Sequence, residues 1–213
     1  MERTTPSPPT GARRVLLDSG YSVSAFFLAL PAVVLAAVGL ALGAGLAVLL
    51  AGFFLLALTM YVARGFASAE RSRLRSMKGF ADGAPSYVTP SATAGPLRRA
   101  LTVLRDPQSW RDLVWSLTGW VTGSLAFALT VTWWAAAAGG LSYWYWERFI
   151  PYDEQDNTTL AELIGLGEGR TPEIWLNLTI GIVALLTLPL VTRLAAATHA
   201  GLARMLLTQP SAG

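Results

Sequence analysis

The sequence predicts an all-α integral membrane protein: four transmembrane helices form two tandem helical hairpins, with the N and C termini cytoplasmic. Three observations carry this. Residues from Ser19 to Ala63 and from Leu113 to Trp146 contain no charged side chain, and Ile174 to Thr192 is a third such stretch. A bilayer crossing needs about 20 apolar residues, so the first stretch is long enough for two helices. Hydrophobic residues make up 53% of the 213-residue chain and charged ones 14%, with a mean hydropathy of +0.47. Charges also segregate: Arg64 to Asp112 carries nine basic and four acidic residues, whereas Glu147 to Glu173 carries seven acids and only Arg148 and Arg170. Cytoplasmic flanks are the basic ones, so the first segment faces inward and the second outward.

Residues 1–13 are polar and Pro-rich and read as a disordered cytoplasmic tail, with the transmembrane domain over 14–208 and a short tail over 209–213. Arg13 and Arg14 precede the first crossing, near 20–41, which Asp18 is placed to cap and which contains Pro31. Gly39, Gly43 and Gly45 predict a break, and the second crossing follows near 46–65. Helix-forming sequence continues from Arg64 through Glu70 and Arg75 towards Gly79. Within the cytoplasmic loop, 66–111, Leu97, Leu101 and Leu104 give a short helix with an apolar stripe suited to the interface. Asp106-Pro107 supplies a cap and first-turn proline for the third crossing, near 112–138, ended by Gly139-Gly140. In the extracellular loop, 139–171, Thr159-Leu160-Ala161-Glu162 reads as a capping box. Thr171-Pro172-Glu173 then opens the fourth crossing, near 172–193.

An internal repeat supports two hairpins. At an offset of 94, Asp18 falls on Asp112 and Tyr21 on Trp115; at 129, Arg64 falls on Arg193, Ala67 on Ala196 and Arg75 on Arg204.

Composition excludes several chemistries. The chain has no Cys, hence no disulfide or thiolate site. Its net charge of +3 arises from residues flanking the apolar runs, which speaks for a membrane and against nucleic acid. The crossings lack acids, bases and His, so a proton-coupled pump is disfavoured. No catalytic, metal or cofactor constellation is recognisable, and His199 is expected at the cytoplasmic interface without neighbouring acids. Gly39/Gly43 and Gly119/Gly123 have the spacing of close helix contacts, within the bundle or between copies. Arg64, Arg71, Arg75, Arg193 and Arg204 have two compatible readings: anchors on anionic lipid, or helices that carry a signal out of the membrane. Trp144 and Trp146, beside Asp153, Glu154 and Asp156, form either an aromatic belt over an acidic loop or an outer sensing surface.

The segments FLALPAVVLAAVGLALGAG, LLALTMYVARGFASAERSRLRSM, DPQSWRDLVWSL and LLTLPLVTRLAAATHAGLARMLL span most of residues 14–208. Here the chain resembles the sensor domain of actinobacterial two-component histidine kinases. The resemblance implies a multi-pass input module in a bacterial plasma membrane, partnered by a histidine kinase or another membrane signalling protein and acting as a homodimer. It transfers no ligand motif. The sequence ends at Gly213 without a dimerisation helix, phosphoacceptor segment or ATP site, so the expectation is a sensor without enzymatic activity of its own. A non-signalling membrane scaffold and a small neutral-solute carrier are the alternatives.

Overall fold

A computed structural model describes residues 11–76, 85–91, 93–150 and 159–207. Helix α1 spans Gly11–Gly45, α2 Leu50–Ser76, α3 Pro96–Arg105, α4 Pro107–Trp146, α5 Leu160–Leu163 and α6 Arg170–Leu207. A single 3-10 turn, Glu147–Phe149, follows α4, and there is no strand among the described residues. Four helices, α1, α2, α4 and α6, are long and apolar enough to cross a membrane.

Each long helix outruns its predicted crossing. α1 already begins at Gly11, so Gly11 to Arg13 are helical rather than tail, and Asp18 lies within the helix instead of capping it. The residues before Ser19 are mostly Ala, Arg, Val and Leu, none of which stops a helix. α4 runs through Gly139-Gly140 to Trp146. Gly140 does not terminate the helix because its missing Cβ serves packing: a Cβ there would lie 2.5 Å from the Asn177 carbonyl oxygen and 2.7 Å from Gly181 Cα. α6 likewise starts at Arg170, two residues before Pro172. The predicted tail residues 1–10 and 209–213 fall outside the described residues.

Other local expectations hold. Asp106 caps α4, accepting from the Ser109 backbone N–H at 3.0 Å. Thr159 caps α5, accepting from the Glu162 N–H at 3.2 Å. On α3 the buried residues are Ala100 and Val103, while Leu97 is 45% exposed.

The chain divides into two compact units, Met1–Ser19 with Ala128–Leu194 and Gly20–Phe127 with Ala195–Gly213. In the second, Tyr21, Ala67, Leu74, Trp115, Ala196, Ala200, Ala203 and Leu207 make one apolar cluster. A neighbouring cluster joins Ala36, Met60 and Ala63 to Val103 and Leu113. Small residues bring backbones close: Gly39 and Gly43 lie against Thr59 and Leu56 of α2, and Gly123 lies against Ala25 and Ala29 of α1. Gly39 and Gly43 therefore pack the first hairpin, whose turn falls later, at residues 46–49. In the first unit, Trp133 donates to the Thr187 hydroxyl at 2.9 Å and Trp134 to Ser19 at 3.0 Å.

The repeat reappears as a burial pattern. α1 buries Ser19, Tyr21, Ser22, Ala25, Ala29, Ala32 and Ala36. At an offset of 94, α4 buries Leu113, Trp115, Ser116, Gly119, Gly123, Ala126 and Thr130. At 129, the buried Gly52, Thr59, Ala63, Ala67, Glu70, Arg71 and Leu74 of α2 fall on Gly181, Leu188, Thr192, Ala196, His199, Ala200 and Ala203 of α6, which are also buried. Gly52 and Gly181 share a role too, each lying against the backbone of the other helix of its hairpin or of the turn before it.

A valine at Gly140 has no room, whereas nothing lies within 4 Å of a Cβ on Gly139. Gly140→Val is therefore expected to destabilise detergent-purified protein by about 1–3 kcal/mol. Gly139→Ala, which removes only backbone freedom inside α4, should hold or raise the thermal unfolding midpoint, and differential scanning fluorimetry of both variants would check this.

Candidate functional site

Charge is the exception among buried side chains, yet the Gly20–Phe127 with Ala195–Gly213 unit buries four charged groups almost completely: Glu70 and Asp112 are 0% exposed, Asp106 1% and Arg71 4%. Such groups are tolerated only when every charge finds partners. Here α2 supplies Arg64 and Arg71, two turns apart, together with Glu70, while Asp106 and Asp112 come from the cap and first turns of α4.

Arg71 is fully engaged. Its Nη2 donates to Asp112 Oδ1 at 2.5 Å, its Nη1 to the Tyr87 hydroxyl at 2.8 Å and its Nε to the Leu207 carbonyl at 3.0 Å. Asp112 also accepts from the Tyr87 hydroxyl at 2.6 Å and from Gln108 Nε2 at 2.9 Å. Tyr87 thus accepts from the arginine and donates to the carboxylate. Burial, then the bond and charge of Asp112, push its hydroxyl up to about 12, so it stays protonated as a donor. Two turns earlier, Arg64 bonds Ser109 Oγ and Asp106 Oδ2, both at 2.8 Å, with its guanidinium 4.3 Å from the Tyr87 ring centre. Burial works against a charge on Asp106. The Ser109 hydroxyl, the backbone N–H groups of Val88 and Ser109, and Arg64 outweigh it and hold the carboxyl below its usual range.

A second cluster lies beside the first. The Tyr21 hydroxyl donates to Glu70 Oε1 at 2.5 Å, and Arg73 pairs with Glu70 Oε2. Arg73 Nη2 also donates to the Tyr21 carbonyl at 2.7 Å and to Ser24 at 2.8 Å. His199 is fully buried, its Nε2 is 3.5 Å from Glu70 Oε1, and its Nδ1 is 2.9 Å from Thr122 Oγ1. This corrects the expectation of an interfacial histidine without neighbouring acids: the helix continues past Thr192, and the repeat sets His199 where α2 carries Glu70.

Of the predicted exit-helix residues, Arg64 and Arg71 come together around Tyr87. Arg75 is exposed, Arg204 is half-buried, and Arg193 belongs to the other unit and is exposed. Sequence reasoning missed Tyr87, Asp106 and Glu70 as members of the site. The usable signal was the 129 offset, which sets Glu70 against His199.

In the Met1–Ser19 with Ala128–Leu194 unit, Trp144 and Trp146 are more than half exposed, in a run of ring contacts that includes Tyr145 and Phe149. Asp153, Glu154 and Asp156 lie outside the described residues. The nearby cavity, of about 30 Å³, is lined by Tyr143, Glu147, Ile150, Thr159, Arg170 and Glu173. That is room for one water and not for an organic ligand. No group of three or more potential metal-binding side chains occurs among the described residues.

A family model described as "Putative sensor" matches residues 21–207, nearly the whole described chain. No curated protein and no solved structure matches it.

Arg71→Ala strands the Asp112 carboxylate and the Leu207 carbonyl, and an expected loss of about 3–5 kcal/mol would show as a collapse of the thermal midpoint. Acid should also weaken this unit. The carboxyl of Asp106 is held low in the folded state, so its contribution is present above the ordinary carboxylate range and is lost as pH falls through the lowered value. The thermal midpoint is expected to drop on acidification below about pH 4, with a shallower drop in Asp106→Asn.

Proposed function

The chain belongs to the "Putative sensor" family, and from that membership we propose that it is a membrane-embedded input module of bacterial signal transduction. On this reading it sits in the plasma membrane with both termini in the cytoplasm and works with a histidine kinase, as a homodimer, carrying no catalytic step itself. The observation that supports it best is the bond from Arg71 on α2 to the carbonyl of Leu207, the last residue of α6. α2 and α6 are the two helices that lead away from the apolar crossings, and a two-state change in one is felt by the other through this bond. The same arginine holds Tyr87 and Asp112, so the loop after α2 and the start of α4 move with it. A rigid joint of this kind gives small changes within the bilayer a route to the cytoplasmic ends.

The interior argues against the carrier alternative. The charged groups near the apolar segments are consumed by one another, which leaves none facing a solute path among the contacts described above. The small outer cavity also favours a stimulus read at the bilayer or from another protein over a soluble organic ligand.

The test is capture of the tagged chain from native membranes in mild detergent, followed by assay of the eluate for ATP-dependent histidine phosphorylation. Co-captured activity is expected, changed about 5-fold or more by Arg75→Glu at an exposed position of α2. A kinase-free eluate would transfer the reading to a non-signalling scaffold.

A further inference from the structure

The uncharged run of α6, Ile174 to Thr192, is 19 residues long. At 1.5 Å per residue it measures about 28 Å, close to the thickness of one hydrocarbon layer. Glu173 therefore marks one boundary of that layer. α4 reaches the same boundary in register. Trp133 bonds Thr187, a Cβ on Gly140 would lie against Asn177 and Gly181, and Glu147, the first charge after α4, pairs with Arg170 at 3.0 Å. Trp144, Trp146 and Trp175, all more than half exposed, fall within a turn of this level.

α5 is fastened to the boundary as well. Glu173 Oε2 accepts from the Ala161 backbone N–H at 2.8 Å, and Asn177 Nδ2 donates to Oε1 of the same carboxylate at 2.9 Å. Ala161 is fully buried. A four-residue turn held this closely cannot stand away from the bilayer in water. Its exterior is apolar: Leu160, Leu163, Ile164 and Leu166 are 49–73% exposed, against only two charges, Glu162 and Glu168, from Thr159 to Gly169.

The backbone is completed in a way that water does not require. Glu173 takes the N–H of Ala161 and the Thr159 hydroxyl oxygen that of Glu162. Leu163 and Ile164 donate to the carbonyls of Thr159 and Leu160, and Gly165 and Leu166 donate to those of Glu162 and Ala161. The last two bonds close the turn through a left-handed residue, which Gly165 supplies at φ +76°. That closure brings Leu166 back beside α5. An unpaired N–H is costly in hydrocarbon, and from Ala161 to Leu166 none is left unpaired.

We infer that α5 and its closure, residues 160–166, form a wedge seated in the leaflet at this end of α4 and α6, with lipid at the headgroup–acyl boundary as its partner. Continuity favours lipid over protein as the occupant. The apolar exterior of α5 adjoins the ends of two membrane-spanning helices whose own exposed surface, Leu186 for example, is the surface a bilayer covers. Tryptophan, which rims the wedge, is the residue type suited to headgroup level. Pressure from crowded lipid on the wedge passes through Glu173 to the first turn of α6, and through Arg170 and Glu147 to the end of α4. Only for that consequence, leaflet packing as the stimulus, does the wedge rest on the sensor reading.

A chain without cysteine takes single labels directly. The full chain in lipid nanodiscs carries a nitroxide at Leu163→Cys or at Ile164→Cys. Leu186→Cys serves as the mid-span reference and Arg75→Cys as the aqueous one. Collision of each label with oxygen, which concentrates in lipid, is compared with collision with a water-soluble nickel chelate. The expected oxygen-to-nickel ratio at both turn positions is severalfold above the aqueous reference, up to the mid-span value. Both side chains are exposed, so helix content by circular dichroism should match that of the unsubstituted protein. An aqueous ratio at either position overturns the proposal. So does a label that neither collider reaches, since protein, either a second copy or residues 151–158 of this chain, would then cover the turn. Lipid-seated labels in a protein that captures no kinase would leave the wedge standing and remove the sensor reading. Aqueous labels in a protein that does capture kinase activity would do the reverse.

Discussion

A charge in a medium of low polarity must be matched, and the arrangement of the Gly20–Phe127 with Ala195–Gly213 unit follows from that requirement. Arg71 and Asp112 are almost wholly withdrawn from solvent. Neither could be there alone, so the register of α2 against the start of α4 is set by their pairing. The remaining donors of Arg71 then specify the position of Tyr87 and of the last carbonyl of α6. Such networks add less to stability than their bond count implies, because desolvation consumes most of the gain. What they confer is a single allowed geometry.

Apolar packing alone would be a weak determinant here. Lipid tails are as apolar as leucine, so helices in a bilayer associate through close van der Waals fit and polar contacts. The buried face of α1 is accordingly made of alanines and serines with a single large member, Tyr21, and large apolar side chains such as Phe27, Val34 and Leu35 are turned outward. Gly39, Gly43, Gly52, Gly140 and Gly181 remove the Cβ atoms that would keep backbones apart. Close approach within the hairpins and charge pairing at the helix extensions therefore divide the work.

The four long helices were legible because hydropathy over 20 or so residues is a strong signal that local exceptions do not erase. The caps at Asp106 and Thr159 were legible as well, since each depends on neighbouring residues only. Helix ends were not. Gly139-Gly140 carries the signature of a break, and only the position of Asn177 and Gly181, nearly forty residues on, shows that it is a packing site. The ion-pair network was partly visible: Arg64 and Arg71 stood out as basic, but their acids are some forty residues away, and Tyr87 sits in a Pro- and Gly-punctuated loop that carries no periodic signal. His199 was misread because a partner 129 residues distant has no local trace. The 129-residue repeat sets the two positions in register, but by itself it does not say that they meet.

The non-identity of the two repeats has a consequence for assembly. Were α6 a faithful copy of α2, the central position would oppose Glu70 with a second glutamate, and two buried carboxylates would repel. Histidine at the equivalent place turns a disfavoured like-with-like meeting into an acid–base couple. Each hairpin is thus a better mate for its unlike sibling in the same chain than for a duplicate of itself. The asymmetry encodes a preference for unlike over like hairpins, which disfavours two copies of this protein meeting through their equivalent halves.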